Sequence, residues 1–332
     1  MNADMHRMES NSQSGGSVRP CVSVVMPAFN AERTIEGAVR SVLGQTFEDL
    51  ELIVCADACT DGTLARLGHF KDPRLIVIEN ASNLGEGRSR DRAIAKASGR
   101  WLAVIDADDE WLPNRIDRML EATRGDDVLV FDNIMQCHDS EQRLIPWKPI
   151  RLPGVFGPER RGIADVQFPS FIVQHRLLIK PIFPREIVTR QDIRHSTSKI
   201  GADNEFFLRI FASGIPIRYV AEPMYLYRLT PGSATNHPEK HRLMRQSIGT
   251  GLTVEGFGDA ARAAIREKLR QLDRAETYEH FRGAVRSGAI HDAVSVLGAE
   301  PWIVGHFFRR LLGDAAYHLH RVWHNGRGRG SR

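Results

Sequence analysis

Cysteine is scarce in this chain and poorly spaced for a scaffold. Cys21, Cys55, Cys59 and Cys137 are scattered over 332 positions, and Cys55 and Cys59 do not form a Cys-x-x-Cys pair. A disulfide framework is thereby excluded, and reduced cysteines in a cytoplasmic protein are expected. No run of 18 uncharged apolar residues occurs, so no membrane-spanning helix is expected. The first 19 residues lack the apolar stretch of a signal peptide, and Ser10 to Ser17 read as a flexible leader. Gly85-Glu86-Gly87 lacks the third glycine of a dinucleotide-binding turn and does not follow the first strand, which argues against a dehydrogenase. Internal repeats are missing too. Glu276 to Leu297 resembles half of a helical-repeat unit, but a single copy reads as a helical hairpin.

What is present is an ordinary globular balance, 42% hydrophobic and 26% charged, long enough for one large domain and an extension. The net charge of +4 is unevenly placed. Residues 301–332 carry six arginines and one acid, a surplus of five that leaves the rest of the chain at −1. The basic character therefore belongs to the C-terminus, where such tails meet membranes or nucleic acid.

The densest chemistry is Asp106-Ala107-Asp108-Asp109, directly after the apolar run Trp101 to Ile105. If that run is a buried strand, three carboxylates crowd its carboxyl end. Like charges so close repel unless a cation or donors compensate. Mg²⁺ and similar hard cations take oxygen ligands, commonly one or two carboxylates plus substrate phosphates. The cluster is thus a candidate metal–phosphate site.

Strand and helix patterns alternate through the first 135 residues. Strands are predicted at 22–26, 50–55, 74–79, 101–105 and 127–132, with helices at about 31–44, 61–70, 87–98 and 113–123. This alternation predicts an α/β, Rossmann-like, doubly wound and mostly parallel sheet. Ligands bind at the carboxyl ends of strands in such sheets, and Asn30, Asp57, Asp106 and Asp108 all fall just past predicted strand ends. Prolines at 146, 149, 153, 158, 169, 181 and 184 make 136–200 read as loops and short strands on the acceptor side. A helix is expected at 203–213, buried through Phe206, Phe207, Ile210 and Phe211, and a strand at 217–227. Beyond 239 the chain reads as helical, from Ala260 to Arg286 and, after a turn at Ser287-Gly288, from Ile290 to Leu297.

In chain order the motifs are Pro27-Ala28-Phe29-Asn30, Asp57-Ala58-Cys59-Thr60-Asp61-Gly62, Asn83-Leu84-Gly85, Ser89-Arg90-Asp91 and Asp106-Ala107-Asp108-Asp109. Ala202-Asp203-Asn204-Glu205 and Arg228 with the following loop to His237 complete the set. Across about residues 20–237 this ordered set resembles the family 2 glycosyltransferases, which have the GT-A fold. The resemblance implies a catalytic domain at 20–238, after the 1–19 leader, with a helical extension at 239–332.

The resemblance also implies roles. Pro27, Ala28 and Asn30 would line the nucleotide-sugar site, and Asp57 would accept a hydrogen bond from the nucleotide base. The family's usual acid–acid–Gly–Ser is altered here to Ala56-Asp57-Ala58-Cys59, which implies a changed turn. Arg90 would face the nucleotide or its phosphates. Asp108 would ligate Mn²⁺ or Mg²⁺, while Asp106 contacts ribose or reaches the metal through water. Asp109 is expected to hold the following turn or a donor behind the metal site. Asp203 matches the catalytic base, with Glu205 as the alternative if the register slips, and it also suits a helix N-cap. Arg228 and His237 would clamp the diphosphate. The implied reaction is inverting transfer of a hexose from a UDP-sugar to a glycan or lipid-linked oligosaccharide acceptor in surface polysaccharide synthesis.

Two alternatives stay open. A nucleotidyltransferase would carry a Gly- and Arg/Lys-rich loop after its first strand, where this chain has Pro27 to Asn30. A non-catalytic glycan- or RNA-binding module would suit Gly326-Arg327-Gly328-Arg329-Gly330, although retention of all the acids argues against it. Residues 302–323 gather Val304, Phe308, Leu311, Leu312, Ala315, Leu319, Val322 and Trp323 on one helical side. That pattern fits either packing on the catalytic domain or a membrane surface, the latter placing the protein peripherally on the inner face of the plasma membrane. His318-Leu319-His320 and His324 read as solvated or interfacial rather than metal-binding.

Overall fold

The computed structural model describes residues 19–140, 143–150, 162–174, 177–198, 201–230 and 239–305. Three apolar runs form the centre of the sheet: β1 (Val22–Ala28), β2 (Leu50–Asp57) and β4 (Trp101–Val104). All three are buried along their whole length, as expected of strands covered on both faces. β1 runs parallel to β2 on one side and to β4 on the other, and β2 runs parallel to the outer strand β3 (Leu75–Asn80). Ala28 therefore pairs with Ala56, and Asp57 with Asn80. The carboxyl ends of the strands thus carry the predicted polar residues side by side.

Helices cover both faces. One core contains Ile35, Ala38, Val39 and Val42 of α1 (Ile35–Leu43), Leu67 of α2 (Thr63–Leu67), and Ile116 and Met119 of α4 (Arg115–Thr123). The i, i+3, i+4, i+7 spacing on α1 is the stripe that a helix buries against a sheet. The opposite core takes Ala93 and Ile94 of α3 (Glu86–Lys96), Phe171 and Ile172 of α5 (Phe168–Gln174), and Val188 of α6 (Arg185–Arg190). Phe206, Phe207, Ile210 and Phe211 of α7 (Ala202–Ala212) join it on the predicted face.

The second half of the sheet departs from the prediction. The expected strand at 127–132 is β6, Leu129–Ser140, which pairs antiparallel with β7 (Arg143–Ile150). Pro146 and Pro149 lie within β7, facing Cys137 and Met135. Among the described residues β7 pairs with β6 alone, so the donors these prolines lack are not needed on its outer side. β10 (Ile217–Arg228) runs parallel to β6, with register shifts around Pro223, and is flanked by the short β5 (Glu110–Trp111) and β8 (Ile163–Val166). The halves are joined by β9 (Ile182–Pro184), antiparallel to both β4 and β6.

α1 starts at Ile35, not near 31. Ala31 to Thr34 form a turn in which Ala31 N–H donates to Thr63 Oγ1 at 2.8 Å and Thr34 Oγ1 donates to Ala107 O at 2.9 Å. α2 is shorter than predicted, and Asp61 precedes it, accepting Thr63 N–H at 3.0 Å.

Beyond 239 the chain is helical as expected: α8 (Lys240–Gly249), α9 (Asp259–Ser287) and α10 (Ile290–Ala299). Gly288 ends α9 in the left-handed region (φ 73°), the usual glycine stop. Ile248, Ile265 and Leu272 belong to the same core as α5 and α7. Tyr278, Phe281, Ala293 and Ile303 form a separate small cluster. Among the described residues, no helix is long and apolar enough to cross a membrane. Most of the amphipathic 302–323 segment, the Gly326 to Gly330 tail and His237 lie outside the described residues.

Candidate active site

The carboxyl ends of β1 and β2 are tied to each other first. Asn30 takes a left-handed backbone (φ 47°), and its Oδ1 accepts Thr60 N–H at 2.8 Å. Pro27 and Ala28 are buried at the end of β1. The altered turn after Asp57 is visible: Ala58 sits at φ 53°, where glycine would sit without strain. A crevice of about 270 Å³ over the ends of β2 and β3 is lined by Ala56, Ala58, Cys59, Leu64, Glu79, Asn80 and Ala81.

Asp57 is buried, and its carboxylate accepts Leu84 N–H and Gly85 N–H, each at 2.8 Å, and Asn80 Nδ2 at 2.6 Å. An ionised carboxylate offers about four lone-pair sites, so one remains for a ligand. The protein-side effect of Asp57 is to hold the chain entering α3. Arg90 follows on that helix with its side chain 1% exposed.

Arg90 organises the centre of the site. Its guanidinium pairs with Asp203, with Asp106 at 2.9 Å and with Glu86 at 2.5 Å. Lys180, 4% exposed, pairs with Asp106 from the other side and lies 3.9 Å from Asp203. Two buried cations therefore bridge two carboxylates, one after β4 and one in the first turn of α7. Burial alone would raise the Asp203 carboxyl, but Arg90, Lys180 and His195 together hold it at about 2. Burial would lower Lys180, and its carboxylate neighbours raise it instead. Asp203 is 30% exposed, so its carboxylate remains partly open to solvent.

Lys180 had no motif to mark it. The available sign was a lone lysine inside Leu177-Leu178-Ile179-Lys180-Pro181-Ile182, since a lysine buried in apolar sequence needs a charge partner. Asp91 and His195 also carried no assigned role. His195 Nδ1 lies 2.6 Å from Asp91, and the ring stacks on Phe206 at 3.9 Å.

The other side of the β4 terminus is acid-rich. Carboxylate oxygens of Asp106, Asp108 and Asp109 lie within 4.8 Å of one another. Asp109 is buried and accepts Tyr225 O–H at 2.7 Å and Arg228 N–H at 2.8 Å, while Tyr225 Oη accepts Asp106 N–H at 3.2 Å. Asp109 thus holds β10 against the turn. Arg228 is enclosed by protein acceptors: Asp108 O at 2.7 Å, Asp139 at 2.8 Å and Glu110 at 3.2 Å. Among the described residues the Asp108 carboxylate has one weak partner, Thr230 Oγ1 at 3.4 Å. Burial and the Asp106 charge raise its pKa. An under-partnered carboxylate among hard oxygen donors fits Mn²⁺ or Mg²⁺; Asp108 could hold such an ion, whereas Asp106 is already taken by its cations. Glu205 is hydrogen-bonded to Ser198 at 3.5 Å and takes no part in the ion-pair cluster.

The central, mostly parallel sheet with charged residues at its strand carboxyl ends and C-terminal helices has the GT-A fold, as its matches among solved structures show. Residues 23–183 match the family model of glycosyl transferase family 2. The chain is 32% identical over 227 residues to the succinoglycan biosynthesis protein ExoO of Rhizobium meliloti, covering 64% of this chain and 62% of that one. Similarity to WfgD of Escherichia coli, a UDP-Glc:α-D-GlcNAc-diphosphoundecaprenol β-1,3-glucosyltransferase, is 38% over 99 residues, 30% of this chain and 39% of that one. The chain thus spans about three fifths of the first relative and two fifths of the second. Among solved structures, Staphylococcus aureus TarS 1–349 in complex with UDP-GlcNAc matches with TM-score 0.63, 17% identity and coverage of 84% and 80%. The mannosyltransferase PcManGT of Pyrobaculum calidifontis in complex with GDP-Man and Mn²⁺ matches with TM-score 0.58, 17% identity and coverage of 92% and 84%. The two structures share the fold.

Proposed function

We propose that the protein is an inverting glycosyltransferase of bacterial polysaccharide synthesis that transfers a hexose from a UDP-sugar to a hydroxyl of a lipid-linked glycan. The observation that carries this reading is the pairing of Asp203 with Asp106 through Arg90 and Lys180. In this reading Asp203 is the base and Asp106 the acid next to the donor, and the shared cations tie the two together at the carboxyl edge of the sheet. Asp203 takes the proton of the acceptor hydroxyl, whose oxygen attacks the anomeric carbon. The bond from that carbon to the diphosphate oxygen breaks on the opposite side, so the configuration inverts. Arg90 and Lys180 would keep Asp203 and Asp106 ionised and fixed in place for the step. Mn²⁺ or Mg²⁺ held by Asp108 would supply charge neutralisation at the diphosphate.

UDP and a lipid-linked acceptor are supported by the named substrates of WfgD, and a divalent cation by the PcManGT complex. The test is thermal stabilisation by UDP-glucose, UDP-GlcNAc and GDP-mannose, each with and without Mn²⁺. A ligand that binds only the folded state raises its stability by mass action. Stabilisation by a UDP-sugar that depends on Mn²⁺ is expected. No response to any sugar nucleotide would overturn the reading.

A further inference from the structure

Behind Asp203 stands a second pair of groups that the reaction above does not use. Asp91, on α3 beside Arg90, accepts the backbone N–H of His195 at 3.1 Å, and its carboxylate lies 2.6 Å from His195 Nδ1. The imidazole is 1% exposed, and its Nε2 points to Asp203 Oδ1 at 3.7 Å. Stacking on Phe206, one turn along α7 from Asp203, fixes the plane of the ring. Gly87 makes the approach feasible: a Cβ there would lie 2.9 Å from His195 Cβ and 3.1 Å from Ser196 O. The absence of a side chain in the first turn of α3 therefore has a structural purpose that the failed dinucleotide motif does not suggest.

An ionised carboxylate only accepts hydrogen bonds. Asp91 therefore selects the tautomer with hydrogen on Nδ1, leaving the Nε2 lone pair directed at Asp203. Two acceptors face each other across 3.7 Å, an arrangement that one added proton would turn into a favourable contact.

We propose that Asp91 and His195 complete the base: the proton that Asp203 takes from the acceptor is passed to His195 Nε2, and Asp91 stabilises the imidazolium until the proton leaves to water. The inference rests on the transferase reading and on Asp203 as its base. The balance is closed. The acceptor O–H bond breaks, the O–C bond to the sugar forms, and the C–O bond to the diphosphate breaks with its electron pair on the diphosphate. The proton ends on His195. Asp203, paired with Arg90 and Lys180, holds a proton poorly, and imidazole is intrinsically the stronger base. His195 acts through Asp203 and is a positioning and proton-holding residue. The charged groups facing it are Asp91 from α3 and Asp203 from α7, while Arg90 and Lys180 act on it through Asp203.

The test combines two readouts. In ¹⁵N-histidine-labelled full-length protein, NMR should show His195 as the Nδ1–H tautomer at neutral pH. An Nε2–H tautomer, or an imidazolium persisting at neutral pH, would overturn the proposal because the site would already hold its proton. His195→Asn keeps a donor for Asp91 and removes the basic nitrogen. With UDP-glucose, Mn²⁺ and water as acceptor, its turnover should fall about 10- to 100-fold, at the lower edge of general-base effects. The KM for UDP-glucose should be unchanged, and the pH profile of turnover should differ from that of the wild type. Unchanged turnover, or an unchanged pH profile with only a lower melting temperature, would reduce His195 to a packing residue. If UDP-glucose is neither bound nor hydrolysed, the donor assignment fails, and the tautomer measurement on wild-type protein still decides the relay.

Discussion

Asp106 and Asp108 stand two residues apart beyond the end of one strand, in opposite electrical surroundings. Asp106 faces α3 and the Lys180 segment, where Arg90 and Lys180 meet it. Asp108 faces β10, where Arg228 is shared among the Asp108 carbonyl, Glu110 and Asp139, and its backbone N–H goes to Asp109. On the first side the protein supplies its own countercharge and rigid ion pairs. On the second side one guanidinium serves a cluster of acids, and positive charge is short. The same residue type thus stands in two settings, a paired strut and, in the proposed reading, an open ligand.

The largest test of this contrast is Asp108→Asn. Turnover with UDP-glucose and Mn²⁺ should fall about 10³-fold, the size seen when a key electrostatic contact to the transition state is removed. Because burial and Asp106 raise the Asp108 pKa in the fold, its ionised form costs stability at neutral pH. The metal-free variant should therefore melt about 2 °C higher, the shift that roughly 1 kcal/mol makes in a domain of this size. A lower melting temperature in EDTA would show that Asp108 is a strut as well.

Lys180→Met is the complementary change. Among the described residues, it leaves Arg90 as the one cation shared by Asp106 and Asp203. Breaking a fully buried pair costs about 3–5 kcal/mol, and the partial exposure of both acids reduces this to about 1–3 kcal/mol. Urea unfolding should show the loss, and an unchanged midpoint would mean that Arg90 suffices.

A third test is the acid limb of stability. The Asp203 pKa is lowered in the fold to about 2, so its stabilising contribution is complete above its unfolded value near 4 and is lost as pH falls through 2. The melting-temperature difference between wild type and Asp203→Asn should be constant above about pH 5 and close between pH 4 and 2. A difference that does not change over that range would sink the ion-pair account of Asp203.

The smallest effect is expected in the quieter region at the β2 end. Ala58 in the left-handed region costs about 1–2 kcal/mol, and glycine there would return about half through its greater freedom in the unfolded chain. Ala58→Gly should raise the melting temperature by about 1–2 °C. A fall would mean that the Ala58 side chain packs more favourably than its backbone strain costs.

The same contrast explains what the sequence made legible. Asn30, Asp57, Asp106 and Asp108 follow apolar runs long enough to be read as strands, so their place at one edge of the sheet could be inferred from local pattern. Lys180 and His195 come from a proline-rich stretch without periodicity, and their partners lie 74 and 104 residues away. Long-range pairing of that kind leaves no local spacing to detect. β7 was missed for a related reason: Pro146 and Pro149 are loop signals in isolation and are tolerated only because of where the strand lies in the sheet.

The position of β9 has a further consequence, for the order of assembly. β4 and β6 are not neighbours. Among the described residues the sheet is continuous between them only through Ile182, Phe183 and Pro184. Until that segment arrives, the four parallel strands of the N-terminal half present the bare edge of β4, about 80 residues earlier in the chain. Such distant pairing carries a loop-closure cost before any contact rewards it. Lys180 lies two positions before β9, so the strand that closes the sheet also delivers the lysine to Asp106. The segment that joins the two halves of the sheet is thus also the one that carries the countercharge of Asp106.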